Sequence, residues 1–207
     1  KKGFKYIYAE NGKESVEDAQ CPGEKYFSLN PADELIVKQL GIAIEAYGRL
    51  SDSVLPQKLF SIESDFVEKH PDLVREYNKG DHFDRKTEIK LYTNDKGGKS
   101  GRSKWYVTKR EIIKTGAEYL NFWKVIVSSA NAGGQKRDNQ IEIVDNYSAF
   151  GRQRVALKTF KTKKEAQNFY KYATSEIIRY AFLLTDEALT SFAQKVPDLK
   201  DYTDDNG

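Results

Sequence analysis

The chain has 207 residues, of which 39% are hydrophobic, 31% charged and 13% aromatic, with a formal net charge of +3. That apolar and aromatic content excludes a disordered tail, and the length fits one large domain or two small lobes. The longest apolar runs, such as Tyr180–Leu184, are far too short to span a bilayer, which excludes a membrane-spanning helix.

In chain order, Phe4–Ala9 alternates aromatic and polar residues and predicts a strand, followed by an Asn11-Gly12 turn and a second strand at Lys25–Leu29. Asn30 is a good N-cap and Pro31 suits the first helical position. Ile36, Leu40, Ala43, Ile44 and Tyr47 then recur at helical spacing up to Gly48. Pro71–Asn78 predicts a short helix and Thr87–Thr93 a strand. Asp95–Ser103 is a glycine-rich basic loop, Lys104–Thr108 a short strand, and Arg110–Leu120 reads as helical.

Trp123–Ser129 is rich in β-branched residues and predicts a buried strand, with Trp123 in the core. Gln140–Asp145 and Arg154–Phe160 are further strands of the same sheet. Thr162 and Glu165 form a capping box that opens the longest helix, expected to run to about Leu183, so that 163–183 is mainly one helix. A last short helix is expected over Glu187–Lys195. The expected fold class is α+β, with a mixed sheet from residues 87–160 flanked by helices. Residues 1–86 are expected to form a more helical N-terminal lobe, and residues 87–207 the sheet-containing domain.

The modest net charge hides an asymmetry. Residues 96–164 carry 16 Lys/Arg against 5 Asp/Glu, a net of +11, while residues 1–95 and 165–207 each stand at −4. A block of this kind attracts polyanions and is the footprint of a nucleic-acid binder. At its centre lies the loop between two predicted strands, with Ser129, Asn131, Gln135, Lys136, Arg137 and Asn139. Arg and Lys donate to guanine O6 and N7, and Asn and Gln make the two-point match to adenine. Arg102 and Lys104, then Arg152 and Arg154, frame that loop; the last two share a side if the segment is extended. Lys158, Lys161, Lys163 and Lys164 fall where a strand meets a helix N-terminus, a place suited to phosphate.

Chemistry is less well provided for. Pro71-Asp72 followed by Glu88-Ile89-Lys90 fits the Pro-Asp…Glu-x-Lys pattern of magnesium-dependent nucleases, which makes such a nuclease the rival reading. A protein-interaction module docking through its N-terminal helices is the third. Cys21, His70 and His82 lack the spacing of a zinc site, and a lone cysteine forms no internal disulfide, so no metal is expected and a reducing cytoplasm is. There is no phosphate-binding or nucleophile-elbow motif, and no signal peptide at the start. The chain begins at Lys1, contains no methionine and ends in the polar stretch Asp201–Gly207, which reads as a domain excised from a longer polypeptide.

Several segments resemble the C-terminal region of bacterial type II restriction–modification proteins with an adenine-N6 methylase domain. They are Ile89–Thr93, Lys104–Val107, Trp123–Gln135, Phe150–Arg152, Phe160–Ala166, Phe182–Thr190 and Val196–Asp198. The likeness spans residues 87–202 and rests on length and order rather than on one short motif. It implies a target-recognition region that binds double-stranded DNA beside the methylase domain of the same polypeptide. The parent enzyme would use S-adenosylmethionine. This chain has neither the Asn-Pro-Pro-Tyr/Phe motif nor the glycine-rich cofactor site of that methylase; its Asn30-Pro31 continues as Ala32-Asp33. The fragment is therefore expected to be non-catalytic and without a cofactor of its own.

Overall fold

The computed structural model of the chain describes residues 5–18, 31–129, 134, 136, 140–184 and 193–204. Strands β1 (Lys5–Glu10) and β2 (Lys13–Asp18) form an antiparallel hairpin closed by Asn11 and Gly12, both at positive φ (51° and 77°). That pair of angles matches the right-handed twist of the flanking strands, so the partner strand follows the turn at once. The strand expected at Lys25–Leu29 lies outside the described residues.

Helix α1 (Pro31–Tyr47) buries Leu40 and Ile44, leaves Leu35 and Ile42 exposed, and stops at Gly48, whose φ of 96° only glycine adopts freely. A single helical turn, α2 (Phe66–Lys69), and a 3-10 turn, Pro71–Leu73, precede strand β3 (Val74–Glu76). The short helix expected over Pro71–Asn78 is thus replaced by a turn and a strand. Val74–Glu76 finds a partner in Thr108–Tyr106, and that pairing outweighs a weak local preference.

The remaining strands are β4 (Glu88–Asn94), β5 (Ser103–Lys109), β6 (Trp123–Ser128), β7 (Ile141–Val144), β8 (Ser148–Phe150) and β9 (Arg154–Phe160). They divide into two sheets: one of four strands in the order β3-β5-β4-β8, and one of three in the order β7-β6-β9. The first is mixed, because β8 pairs with β4 in parallel. The fold is α+β, with the three strands at 123–128, 141–144 and 154–160 in one sheet as the sequence predicts.

The three-stranded sheet is covered on both faces, which is why WKVIVS is apolar almost throughout. Val125, Val127, Val155 and Leu157 pack against Phe169, Ala173, Ile178 and Phe182 of the following helices, with Leu40 and Leu50 from the N-terminal side. Ile126, Val144 and Ala156 point to a second core with Ile89, Leu91, Phe60 and Phe150. Trp123, expected in the core, is only partly buried at its edge.

Two helical expectations need correction. Residues 110–120 are not one helix but two 3-10 turns, Arg110–Ile112 and Ala117–Asn121, separated by Gly116 at φ 67°. A Cβ at Gly116 would lie 2.6 Å from the Leu59 carbonyl oxygen, so the chain is pressed against its neighbour there. Residues 163–183 form α3 (Lys163–Thr174) and α4 (Glu176–Leu183), broken at Ser175 in extended conformation. The Thr174 hydroxyl donates to the Tyr170 carbonyl and the Ser175 hydroxyl to that of Tyr172, each at 2.7 Å. Adjacent hydroxyls that bond back to the preceding turn compete with the helix ladder, and here they end it. The helix expected over Glu187–Lys195 falls mostly outside the described residues; 193–195 are a turn.

Candidate nucleic-acid interface

Strand register sorts the basic residues by place. Ser128 stands opposite Arg154 and Trp123 opposite Phe160, so the end of β6 and the start of β9 share one end of their sheet, with the start of β7. The backbone N–H of Ser129 donates to Gln153 at 2.8 Å, and that of Gly151 to Tyr92 at 2.9 Å. These bonds bring the β4–β5 connection, the β6–β7 connection and the 151–153 turn to a common end. Arg102, Lys104, Ser129, Lys136 and Arg152 gather there. Asn131, Gln135, Arg137 and Asn139 belong to the same connection but lie outside the described residues.

Lys161, Lys163 and Lys164 follow Phe160 at the other end of β9. The seven residues of β9 put about 20 Å between the two groups. The basic block that is continuous in sequence is therefore two separate groups in space.

The individual side chains differ in what they can offer. Arg102, Lys96 and Lys99 are exposed on the β4–β5 connection. Lys104 lies 3.6 Å from Asp95 and 3.9 Å from Glu76. Lys136 is exposed and lies 3.8 Å from Glu176 of α4. The Ser129 hydroxyl donates to the Arg152 carbonyl at 3.2 Å, so it anchors the chain.

Arg152 and Arg154 do not share a side. The chain turns between them, with Arg154 N–H bonded to the Gly151 carbonyl. Arg152 reaches the surface and donates to Glu63 at 2.6 Å. Arg154 turns inward, 7% exposed, and donates to the Tyr92 hydroxyl at 3.1 Å. Lys158 is likewise engaged inside the protein, with Asp198. Neither Arg154 nor Lys158 is placed to meet a groove: each is held by a partner inside the protein, and the bulge in β9 between them turns the two to opposite faces of the strand.

At the far end, Lys161, Lys163 and Lys164 are exposed, and the Lys163 ammonium sits 5.9 Å from the centre of the Trp123 ring. The capping box is present: Thr162 accepts from the Glu165 N–H at 3.2 Å, and the Glu165 carboxylate accepts from the Thr162 N–H at 2.9 Å. Those donors are taken, and a carboxylate stands beside them. A phosphate at this end would be held by the lysine ammoniums rather than by the helix terminus. Lys200 joins Lys158, Phe160, Lys161, Glu165 and Tyr202 around an open cavity of about 340 Å³. Sequence reasoning missed Lys200, which lies outside the basic block and arrives only with the fold.

The Pro-Asp…Glu-x-Lys residues are not brought together. Asp72 precedes β3, and β5 lies between β3 and β4, so two strand spacings of about 9–10 Å separate it from Glu88 and Lys90. Glu88 accepts from the Asp84 N–H at 2.8 Å and from Arg75 at 3.4 Å. Lys90 is paired with Asp145 and lies 5.3 Å from the Trp105 ring centre and 5.5 Å from that of Tyr77. Burial disfavours the charged form of Asp145, but hydrogen bonds from Lys90 and Ser148 outweigh it and hold the carboxyl below its usual range. Among the described residues, no group of three or more His, Cys, Asp or Glu is disposed to hold a metal ion.

Glu142 accepts from the Tyr92 hydroxyl at 3.2 Å, and burial raises its carboxyl above the ordinary value. Together with Arg154 these groups make a hydrogen-bonded polar layer between the two sheets.

No family model, no curated protein and no solved structure matches the chain.

Proposed function

We propose that the chain is the target-recognition region of a type II restriction–modification enzyme with an adenine-N6 methylase domain, and that it binds double-stranded DNA. The observation that carries this reading is the convergence of three connections at one end of two sheets. They bear Lys96, Lys99, Arg102, Lys136 and Arg152 on a rigid base. The excess of positive charge in residues 96–164 and the resemblance of 87–202 support the same conclusion. Binding and specificity residues concentrate on loops held by rigid elements.

In this reading the loop end approaches base edges, with Gln135, Lys136, Arg137, Asn139 and Arg152 as donors, and Lys161, Lys163 and Lys164 meet phosphates further along the duplex. At about 3.4 Å per base pair, the length of β9 corresponds to about six pairs. The fragment carries no methyl-transfer chemistry; the methylase domain of the same polypeptide supplies it with S-adenosylmethionine. Among the described residues no helix is long and apolar enough to cross a membrane, and the cytoplasm is the proposed location.

Selection from random duplexes tests the reading. A recurrent site, bound without metal and weakened steeply by salt, supports it. Binding to no duplex at low salt overturns it. Magnesium-dependent nicking of a plasmid, lost in Glu88→Ala, supports the nuclease instead.

A further inference from the structure

We propose that α4 is the seat on which the β6–β7 connection is set, and that Gly134 is the positioning residue that lets it sit there. This deepens the recognition reading above and rests on it. Antiparallel neighbours need only a two-residue turn, whereas residues 129–140 make a twelve-residue connection between β6 and β7. Long connections of this kind in a compact domain are commonly functional.

The connection is fixed at its base and again near its middle. At the base, the Ser128 N–H donates to Gln140 at 3.0 Å, and Ser129 is tied to the carbonyls of Arg152 and Gln153. Near the middle Gly134 is buried, and a Cβ there would lie 1.9 Å from the Arg179 carbonyl oxygen and 2.6 Å from Leu183 Cγ. The carbonyl is helix backbone and cannot rotate away, so only glycine fits. Lys136 adds an ion pair to Glu176, one turn earlier on α4.

Gln135 lies between the seated Gly134 and the paired Lys136, and Arg137 follows. The seat therefore holds Gly134 and Lys136, the residues on either side of Gln135 in sequence, against α4. Holding such groups before contact reduces the ordering cost of binding.

The test uses the full chain and two variants, Gly134→Ala and Leu183→Ala. Leu183 is an exposed position, so its truncation leaves the core intact. Hydrogen exchange of the 129–140 amides reads the seat directly. In both variants it should quicken about tenfold, with β6, β7 and β9 unchanged. Binding reads the consequence: affinity for a preferred duplex should fall about tenfold, with affinity for random duplex and its salt dependence unchanged. Unaltered exchange in both variants overturns the seat. Quickened exchange with site preference intact overturns its role in recognition. If the unaltered chain prefers no duplex, the recognition reading itself fails, and the seat is then decided by exchange alone. Should Gly134→Ala lose protection throughout the sheet, Leu183→Ala decides.

Discussion

The Lys158 ammonium lies 2.6 Å from both carboxylate oxygens of Asp198, a residue with no exposed surface. Asp198 also accepts from Ser53 at 2.7 Å, from the Tyr202 hydroxyl at 3.1 Å and from the Lys200 N–H at 3.2 Å. One carboxylate thus ties β9, the turn after α1 and the C-terminal segment together.

Asp198→Ala strands a largely buried ammonium, and breaking such a pair costs about 3–5 kcal/mol. Urea unfolding should show a loss of that order, and a loss below about 1 kcal/mol would deny the pair its role. Burial raises the Asp198 carboxyl, but Lys158 and Ser53 outweigh it and hold it below the ordinary value. Its stabilisation is therefore present above the usual aspartate range and lost as pH falls through the depressed folded value. Asp198→Ala should flatten that acid limb.

Lys124 is fully buried, with Nζ donating to the carbonyls of Tyr119 and Phe122 at 2.9 and 2.6 Å. Burial pushes its ammonium down to about 7, against the pull of Asp145. The unfolded chain keeps the proton up to about pH 10.4, so it binds more protons than the folded one above pH 7. Stability should rise between those two values, by at most about 1.4 kcal/mol per pH unit. Lys124→Met removes the titrating group and should remove that rise. Parallel pH profiles for the two proteins would refute this.

The capping box at Thr162 and Glu165 closes the start of α3. Thr162→Ala should cost about 1 kcal/mol, read as a lower midpoint of thermal unfolding, without changing the sheet.

The two basic groups should separate by mutation. Lys163→Ala or Lys164→Ala should weaken binding to all duplexes alike and reduce the salt slope by about one counterion. Arg137→Ala or Arg152→Ala should cost about 1–3 kcal/mol on a preferred site and much less elsewhere. Arg152 is held by Glu63, so Glu63→Gln should release it and tighten binding. Indifference of binding to all of these changes would leave the positive charge as a solvated surface.

What the sequence conveyed was local. Asn11-Gly12 marks the turn, though not the strand Lys13–Asp18 that follows it; Thr162 with Glu165 marks a helix start, and Arg154–Phe160 coincides with β9. What it withheld depends on partners distant along the chain. Ser148–Phe150 is three residues long and becomes a strand only beside β4. The inward turn of Arg154 depends on Tyr92, and the engagement of Lys158 on Asp198. Charge counting treats all lysines and arginines alike, so it merged two groups that the fold sets at opposite ends of β9.

The parallel pairing of β4 with β8 also imposes an order of assembly. Lys90 meets Ser148 and Tyr92 meets Phe150 only after β5, β6 and β7 have been made. While the chain is being synthesised, β4 emerges with one edge bare and keeps it until β8 has left the ribosome. Contacts so distant in sequence slow folding, and a bare edge is a template for unwanted pairing. A nascent chain arrested before Ser148 thus keeps that edge of β4 without its partner, whereas one extended past Phe150 carries every strand needed to close the four-stranded sheet.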